Sequence, residues 1–199
     1  MANLVYYTVF GGDTFYENLR LSIDALRDFG VYSGEILVFS DRAFTYRGSQ
    51  NIVLPLADAK ESVAIRIACY RYFDFAAYDR VLFLDADILA CRPVAPLFDL
   101  PETFIYFPQD DRYFTSGIID ALYFDADMWR RHWWKHPLNA GQFVLAGSRF
   151  AAFMQKWEAV CDWFAHRRVF TMNESFKKIW RDQVAFNYLI RAGEAVGTE

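Results

Sequence analysis

Short apolar segments alternate with helical segments along the chain, and this alternation limits the folds that it can adopt. Runs rich in Val, Leu, Tyr and Phe at 4–10, 35–40 and 81–84 each predict a strand. The segment between the first two runs carries apolar residues at the spacing of one helix face: Tyr16, Leu19, Ile23 and Leu26. Strands separated by helices of this length form βαβ units. The chain therefore predicts an α/β fold, with a mixed, mainly parallel sheet flanked by helices.

The second half of the chain is less regular. There, runs at 104–107, 121–124 and 142–146 predict further strands, and 150–164 carries the clearest helix stripe. In the first half, a run at 51–56 predicts one more strand, between those at 35–40 and 81–84. No repeat, linker or low-complexity tract interrupts the 199 residues. We predict a single domain spanning 1–199.

Composition excludes several classes of protein. The net charge of −4 argues against binding to a nucleic-acid backbone, which needs a basic surface. The three cysteines are widely spaced, which favours a reducing compartment over a disulfide framework. The longest stretch without a charged residue, 136–148, is too short for a membrane-spanning helix, and the first residues lack the basic region of a signal peptide. We therefore expect a cytoplasmic protein.

Two carboxylates follow the wholly apolar run at 81–84. Asp85 and Asp87 would lie at the carboxyl end of a buried strand, where open α/β sheets bind ligands. Strand periodicity would point both side chains to the same side, and hard oxygen ligands select Mg²⁺ or Mn²⁺. The alternative is a solvated Asp followed by an Asp that caps a helix.

The same carboxylate pair is compatible with a phosphatase of the haloacid-dehalogenase type, in which the first Asp is a nucleophile and the second a general acid. That motif normally follows the first strand, whereas three candidate strands precede it here. Ile88 and Leu89 also stand where a Gly/Thr-type turn is expected. This is the less favoured alternative.

Four motifs occur in a characteristic order: Asp13-Thr14-Phe15-Tyr16, Asp85-Ala86-Asp87, Asn139-Ala140-Gly141 and Asp182-Gln183. In that order they resemble the retaining glycosyltransferases of family 8, the glycogenin and bacterial galactosyltransferase group. The segment 78–100 is similar to the metal-binding segment of that family. The resemblance implies a GT-A fold, a Mn²⁺ or Mg²⁺ cofactor, and transfer of a hexose from a UDP-sugar to a sugar-containing acceptor.

The resemblance also implies a donor site along the first strand and the following helix. Backbone groups from Thr8 to Gly12 would approach the uracil and ribose, and Gly11 and Gly12 permit a close approach. Asp13 would hydrogen-bond to the nucleoside and Tyr16 would stack on the uracil ring. Because Tyr16 also belongs to the apolar helix stripe, a core position is the alternative.

Further roles follow from the same resemblance. Arg66 would contact the donor sugar or diphosphate, and as a cation among apolar neighbours it needs an anionic partner, either a ligand or a protein carboxylate. Asp85 and Ala86 would belong to the donor site, with Asp85 and Asp87 as metal ligands. The remaining positions implied are Gly141 in the donor site and three catalytic residues: Asn139, Asp182 and Gln183.

Two features bear on activity and on the acceptor. The family's C-terminal His-x-x-Gly-x-x-Lys-Pro-Trp segment has no counterpart before Glu199, so we expect UDP and metal binding with slow turnover, or a catalytically silent nucleotide-sugar-binding protein. The run 129–136 combines three Trp with Arg, Lys and His, which suits sugar stacking or peripheral contact with the inner membrane face. Core packing of these Trp is the alternative. The acceptor would be a glycan, a glycolipid or a glycosylated protein.

Overall fold

A computed structural model describes residues 2–54, 59–102, 105–106, 138–166 and 181–195. The chain forms two compact units, one of Met1–Tyr106 with Gly141–Ala152 and one of Phe107–Ala140 with Phe153–Glu199. The interpretation of 1–199 as a single domain stays a prediction. The predicted strand at 121–124 and the Trp-rich run at 129–136 lie outside the described residues.

The first unit is built on a five-stranded sheet. Its strands, in chain order, are β1 (Asn3–Val9), β2 (Glu35–Ser40), β3 (Gln50–Val53), β4 (Arg80–Leu84) and β5 (Gln142–Ala146). They are arranged in the order β3-β2-β1-β4-β5, with the first four strands parallel and β5 antiparallel to β4. The predicted α/β fold with a mixed, mainly parallel sheet is confirmed. Of the predicted run at 104–107, Tyr106 forms an isolated bridge to Val144.

Five α-helices are described: α1 (Asp13–Asp28), α2 (Ala59–Ala68), α3 (Ala95–Phe98), α4 (Gly147–His166) and α5 (Arg181–Ala195). The predicted stripe of α1 is buried in full. The residue after the C-cap of α1 is a glycine, Gly30, because a Cβ at this position would lie only 2.5 Å from the Leu26 carbonyl oxygen. Within the described part of the chain, none of the helices is both long and apolar enough to cross a membrane.

Apart from the edge strand β3, the sheet is buried on both faces, as is typical of parallel sheets. On one face Val5, Tyr7 and Val9 pack against the buried stripe of α1. On the other, the Tyr6 ring lies between 4.9 and 6.4 Å from each of five aromatic rings: Phe39, Phe75, Phe83, Phe143 and Phe150. Aromatic pairs in these arrangements add stability beyond their buried area. The ends of β1, β2 and β4, where the candidate site lies, are therefore fixed by a rigid core.

Candidate functional site

The carboxylate pair follows β4, a fully buried strand that lies between β1 and β5. Asp85 lies directly after the strand, and its backbone N–H donates to the Gly141 carbonyl at 2.7 Å. The structure thus brings together two residues that the sequence assigns to the donor site. Ala86, half-buried, separates the two aspartates.

Strand periodicity does not orient Asp87 as the sequence predicts. The strand ends at Leu84, and the Ile88 N–H donates to the Asp85 carbonyl at 3.0 Å, which makes 85–88 a tight turn. Asp87 is exposed in that turn. The two carboxylates nevertheless lie close enough for the charge of Asp87 to raise the pKa of Asp85.

Arg66, in the last turn of α2, finds its anionic partner in the protein. Its Nη1 lies 3.1 Å from Oδ1 of Asp85, and its guanidinium lies over the Phe83 ring at 5.4 Å. The Arg66 carbonyl accepts a hydrogen bond from the Cys69 thiol at 3.2 Å, which fixes the end of the helix. Of the two alternatives that the sequence leaves open, the protein carboxylate is present in the structure, and the contact of Arg66 with the donor stays a prediction.

The electrostatics of Asp85 reflect three competing effects. Partial burial raises the pKa of its carboxyl most strongly, Arg66 lowers it, and Asp87 raises it, so the pKa stays above the ordinary value of 3.8. A divalent cation would relieve the repulsion between the two carboxylates. Among the described residues no group of three or more His, Cys, Asp or Glu gathers around one point. The pair fits Mg²⁺ or Mn²⁺, which accept one or two protein carboxylates when phosphate oxygens and water complete their coordination.

A glycine turn connects β1 to α1 at the same edge of the sheet. Gly11 has φ +99°, a conformation that favours glycine, and its N–H donates to Oδ2 of Asp41 at 3.0 Å. Gly12 is the N-cap of α1, and Thr8 lies half-buried in β1, in register with Phe39. The predicted backbone approach along Thr8–Gly12 thus corresponds to the carboxyl end of β1 and the turn after it.

Tyr16 occupies the core position that the helix stripe predicts as the alternative to base stacking. Only 5% of the residue is exposed, and its hydroxyl donates to the Asp41 carboxylate and to the Val9 carbonyl. Burial and Asp41 together raise the pKa of its phenol to about 12. The Arg42 guanidinium lies over the ring at 3.8 Å from its centroid, and Phe44 packs against it at 5.8 Å. A base could stack on Tyr16 only in the place that Arg42 occupies.

Phe15 is the exposed aromatic residue at this turn, and sequence reasoning missed it. It is 56% exposed, and its ring lies 3.7 Å from the position that a Cβ on Gly11 would take. The sequence did carry a signal: Phe15 lies beside the helix stripe rather than in it. An aromatic residue at such a position contributes little to the core.

Asp41 and Arg42 follow β2 at the same edge and were also missed. Arg42 Nη2 donates to Oδ1 of Asp13 at 2.7 Å, and both side chains are exposed. Polar residues directly after β2 are the signal that could have identified them, since the neighbouring parallel strands carry site residues at the same ends. The structure thus joins Asp13, Asp41 and Arg42 into one polar cluster around Tyr16.

The three predicted catalytic residues belong to the second unit. Asp182 lies buried in the first turn of α5, where its carbonyl accepts from the Trp157 indole at 2.8 Å. Asn187 donates to the Gln183 carbonyl and bonds both the N–H and the carbonyl of Leu138, at 2.8 to 2.9 Å. Asn187 therefore ties the segment that carries Asn139 to the helix that carries Asp182 and Gln183. Sequence reasoning did not identify Asn187.

A cavity of about 430 Å³ lies at the other edge of the sheet, beside the amino end of β4. Its described lining includes Tyr70, Tyr72, Phe73 and Ser148. None of the site residues predicted from the sequence contributes to it.

Comparisons with known proteins address the fold. No protein-family model and no curated protein matches the sequence. The apo form of the glycosyltransferase GlyE from Streptococcus pneumoniae TIGR4 matches at 14% identity with a TM-score of 0.61, over 96% of this chain and 44% of that one. An active-site mutant of LgtC matches at 14% identity with a TM-score of 0.63, over 92% of this chain and 70% of that one.

A third structure, the galactosyltransferase LgtC with donor and acceptor sugar analogs, matches at 15% identity with a TM-score of 0.58, over 94% of this chain and 70% of that one. The chain therefore has the fold of these glycosyltransferases, as its motifs predict. It spans less than half of the GlyE chain.

Proposed function

We propose that the protein is a metal-dependent retaining glycosyltransferase that moves a hexose from a UDP-sugar to a sugar-containing acceptor. The observation that carries the proposal is the Asp85–Asp87 pair at the end of β4, with Asp85 bonded to Arg66, in a chain with a glycosyltransferase fold. The carboxyl end of a buried strand, where this pair lies, is where such a sheet binds a phosphorylated ligand.

The strand order supports a nucleoside diphosphate as the donor. The polar cluster of Asp13, Asp41 and Arg42 lies at the ends of β1 and β2, and Asp85 lies at the end of β4 on the other side of β1. With about 5 Å between neighbouring strands, the ends of β2 and β4 are separated by roughly 10 Å. A nucleoside with its 5′-phosphate spans such a gap, with the base toward β2 and the diphosphate at β4.

At the nucleoside end, the uracil stacks on the exposed face of Phe15. Asp13 hydrogen-bonds to the nucleoside, and the Gly11 turn lets the ligand approach the backbone. This assignment replaces Tyr16, whose ring is covered, as the stacking residue. A base–aromatic stack contributes about 1–3 kcal/mol.

At the diphosphate end, Asp85 and Asp87 would hold Mn²⁺ or Mg²⁺. The cation supplies Lewis-acid stabilisation of the leaving diphosphate when it is bound. Arg66 orients Asp85 and partly offsets the charge of the carboxylate pair. Gly141, whose carbonyl accepts from the Asp85 N–H, fixes the start of β5 beside the donor.

We assign the catalytic positions to Asn139, Asp182 and Gln183. One similar structure is an active-site mutant of LgtC in which a glutamine is replaced by glutamate, which supports a role for Gln183. Another holds donor and acceptor sugar analogs, which supports a sugar donor and a sugar-containing acceptor for this chain. The acceptor is a glycan, a glycolipid or a glycosylated protein.

The proposal is tested by UDP release from UDP-glucose and UDP-galactose in the presence of Mn²⁺, with and without simple sugar acceptors. We expect release by the wild-type protein and its loss in Asp87→Asn. The control variant is Asp99→Asn, which removes an exposed carboxylate after α3. UDP binding without any release would favour the nucleotide-sugar-binding protein, and the absence of UDP binding would contradict the proposal.

A further inference from the structure

Arg42 is held in place by two side chains that lie beside the proposed nucleoside site. Its guanidinium lies over the Tyr16 ring at 3.8 Å from the centroid and donates from Nη2 to Asp13 at 2.7 Å. An arginine over an aromatic ring and paired with a carboxylate keeps a defined orientation. Its side chain is nevertheless 45% exposed.

Tyr16 is in turn fixed by Asp41. The Asp41 carboxylate accepts the Tyr16 hydroxyl and the Gly11 N–H, and burial of the Tyr16 ring leaves it no room to turn. Asp41 thus fixes both the ring under Arg42 and the glycine turn under Phe15. The same carboxylate aligns the two exposed groups that face a bound base.

The carboxylates around Arg42 favour a neutral ligand group over a phosphate at this position. Asp13 already compensates the guanidinium, and a phosphate at this point would lie next to the carboxylates of Asp13 and Asp41. The guanidinium offers only donors, so it needs an oxygen acceptor. The carbonyl oxygens of a uracil ring meet both conditions.

We propose that Arg42 is a specificity-determining residue that donates to the 4-carbonyl oxygen of the uracil ring, and that Asp41 and Tyr16 are its positioning residues. This inference rests on the proposed function. Cytosine has an amino group where uracil has its 4-carbonyl, and an amino group cannot accept from a guanidinium. Arg42 therefore selects uridine over cytidine nucleotides.

The experiment measures dissociation constants of UDP, CDP and pyrophosphate by calorimetry with Mn²⁺ present. We expect Arg42→Gln to weaken UDP binding about tenfold or more and to leave CDP and pyrophosphate nearly unchanged, so that the preference for UDP over CDP narrows. The matched control is Arg20→Gln, because Arg20 also lies over aromatic rings, those of Phe44 and Tyr46, without an ion pair to Asp13.

The variant Asp41→Asn distinguishes a role of Asp41 in positioning Arg42 from a role in folding stability. If Asp41 acts through Arg42, Asp41→Asn narrows the UDP-to-CDP preference, and the double variant Asp41→Asn/Arg42→Gln narrows it no further than Arg42→Gln alone. A purely structural role would lower thermal stability and weaken both nucleotides equally.

Three outcomes would overturn the inference. UDP binding that is unchanged in Arg42→Gln excludes a contact with the base. An equal loss for UDP, CDP and pyrophosphate makes Arg42 a phosphate-binding residue instead. A wild-type protein that binds no UDP removes the proposed function as well, whereas the first two outcomes leave the proposed function intact.

Discussion

The Arg66 guanidinium and the Asp85 carboxylate form an ion pair across 3.1 Å, between the last turn of α2 and the end of β4. Arg66 is mostly buried, with 12% of its side chain exposed, while 40% of the Asp85 side chain remains accessible. The pair therefore leaves one carboxylate that is both oriented by the protein and open to a ligand.

Replacing Arg66 by Met should destabilise the protein in a pH-dependent way. The pKa of Asp85 is raised above 3.8 in the folded state, so Asp85 binds a proton more tightly in the folded protein than in the unfolded chain. The contribution of Asp85 to the free energy of unfolding therefore declines as the pH rises above about 4. Without Arg66 the pKa of Asp85 rises further, so the free energy of unfolding declines more steeply with pH. We expect a loss of about 1 kcal/mol at pH 7.5, since solvent screens a pair that is partly exposed.

Urea unfolding in EDTA at pH 4.5 and pH 7.5 measures this effect. The control is the same substitution in an Asp85→Asn background, where the pH-dependent part should vanish. A cost of Arg66→Met that is equal at both pH values would show that the ion pair does not govern it.

Phe15 and Tyr16 should respond in opposite ways to truncation. Phe15→Ala removes an exposed ring, so UDP binding weakens by about 1–3 kcal/mol while the melting temperature changes little. Tyr16→Ala removes a buried ring and should cost about 3–5 kcal/mol of unfolding free energy. Phe29→Ala, at a ring that is 66% exposed, is the control for both measurements. Intact UDP affinity in Phe15→Ala would show that the base stacks elsewhere.

Two of the three thiols, those of Cys69 and Cys91, should differ in reactivity. Burial raises the pKa of the Cys69 thiol, which also donates to the Arg66 carbonyl, whereas Cys91 is exposed. At pH 8 a thiol reagent should label Cys91 in the native protein and Cys69 only after unfolding. Mass spectrometry of peptides after timed labelling identifies the site. Rapid labelling of native Cys69 would contradict its burial.

Asn187→Ala should destabilise the second unit. The buried amide makes hydrogen bonds to the backbone of Leu138 and Gln183, and its removal leaves those groups without that partner. We expect a loss of about 2 kcal/mol of unfolding free energy. Hydrogen exchange at Leu138 should accelerate in the variant. Unchanged exchange there would mean that other contacts hold this segment to α5.

The sequence predicts the strands and the α1 stripe well because those patterns are local. The apolar run at 81–84 and its following carboxylates need only their neighbours to be recognised. The partner of Arg66 is different: 19 residues separate it from Asp85, and only the packing of α2 against the sheet brings them together.

The choice between Phe15 and Tyr16 illustrates a second limit. One residue of helix rotation, about 100°, moves a side chain from the core to the surface, and the motif contains two adjacent aromatics. The turn from Asp85 to Ile88 illustrates a third limit. Strand alternation predicts the direction of a side chain only within the strand, and β4 ends before Asp87. Asp41 and Arg42 belong to no recognisable sequence motif. Their partners, Gly11, Tyr16 and Asp13, follow the neighbouring strand β1, and only the folded sheet brings them together.

The binding of UDP in the presence and absence of Mn²⁺ tests the central claim most directly. If Asp85 and Asp87 hold a cation that also binds the diphosphate, calorimetry should show at least tenfold tighter binding of UDP with Mn²⁺ than with EDTA, and Asp87→Asn should remove that difference. Equal affinity of the wild-type protein for UDP under both conditions would contradict the account.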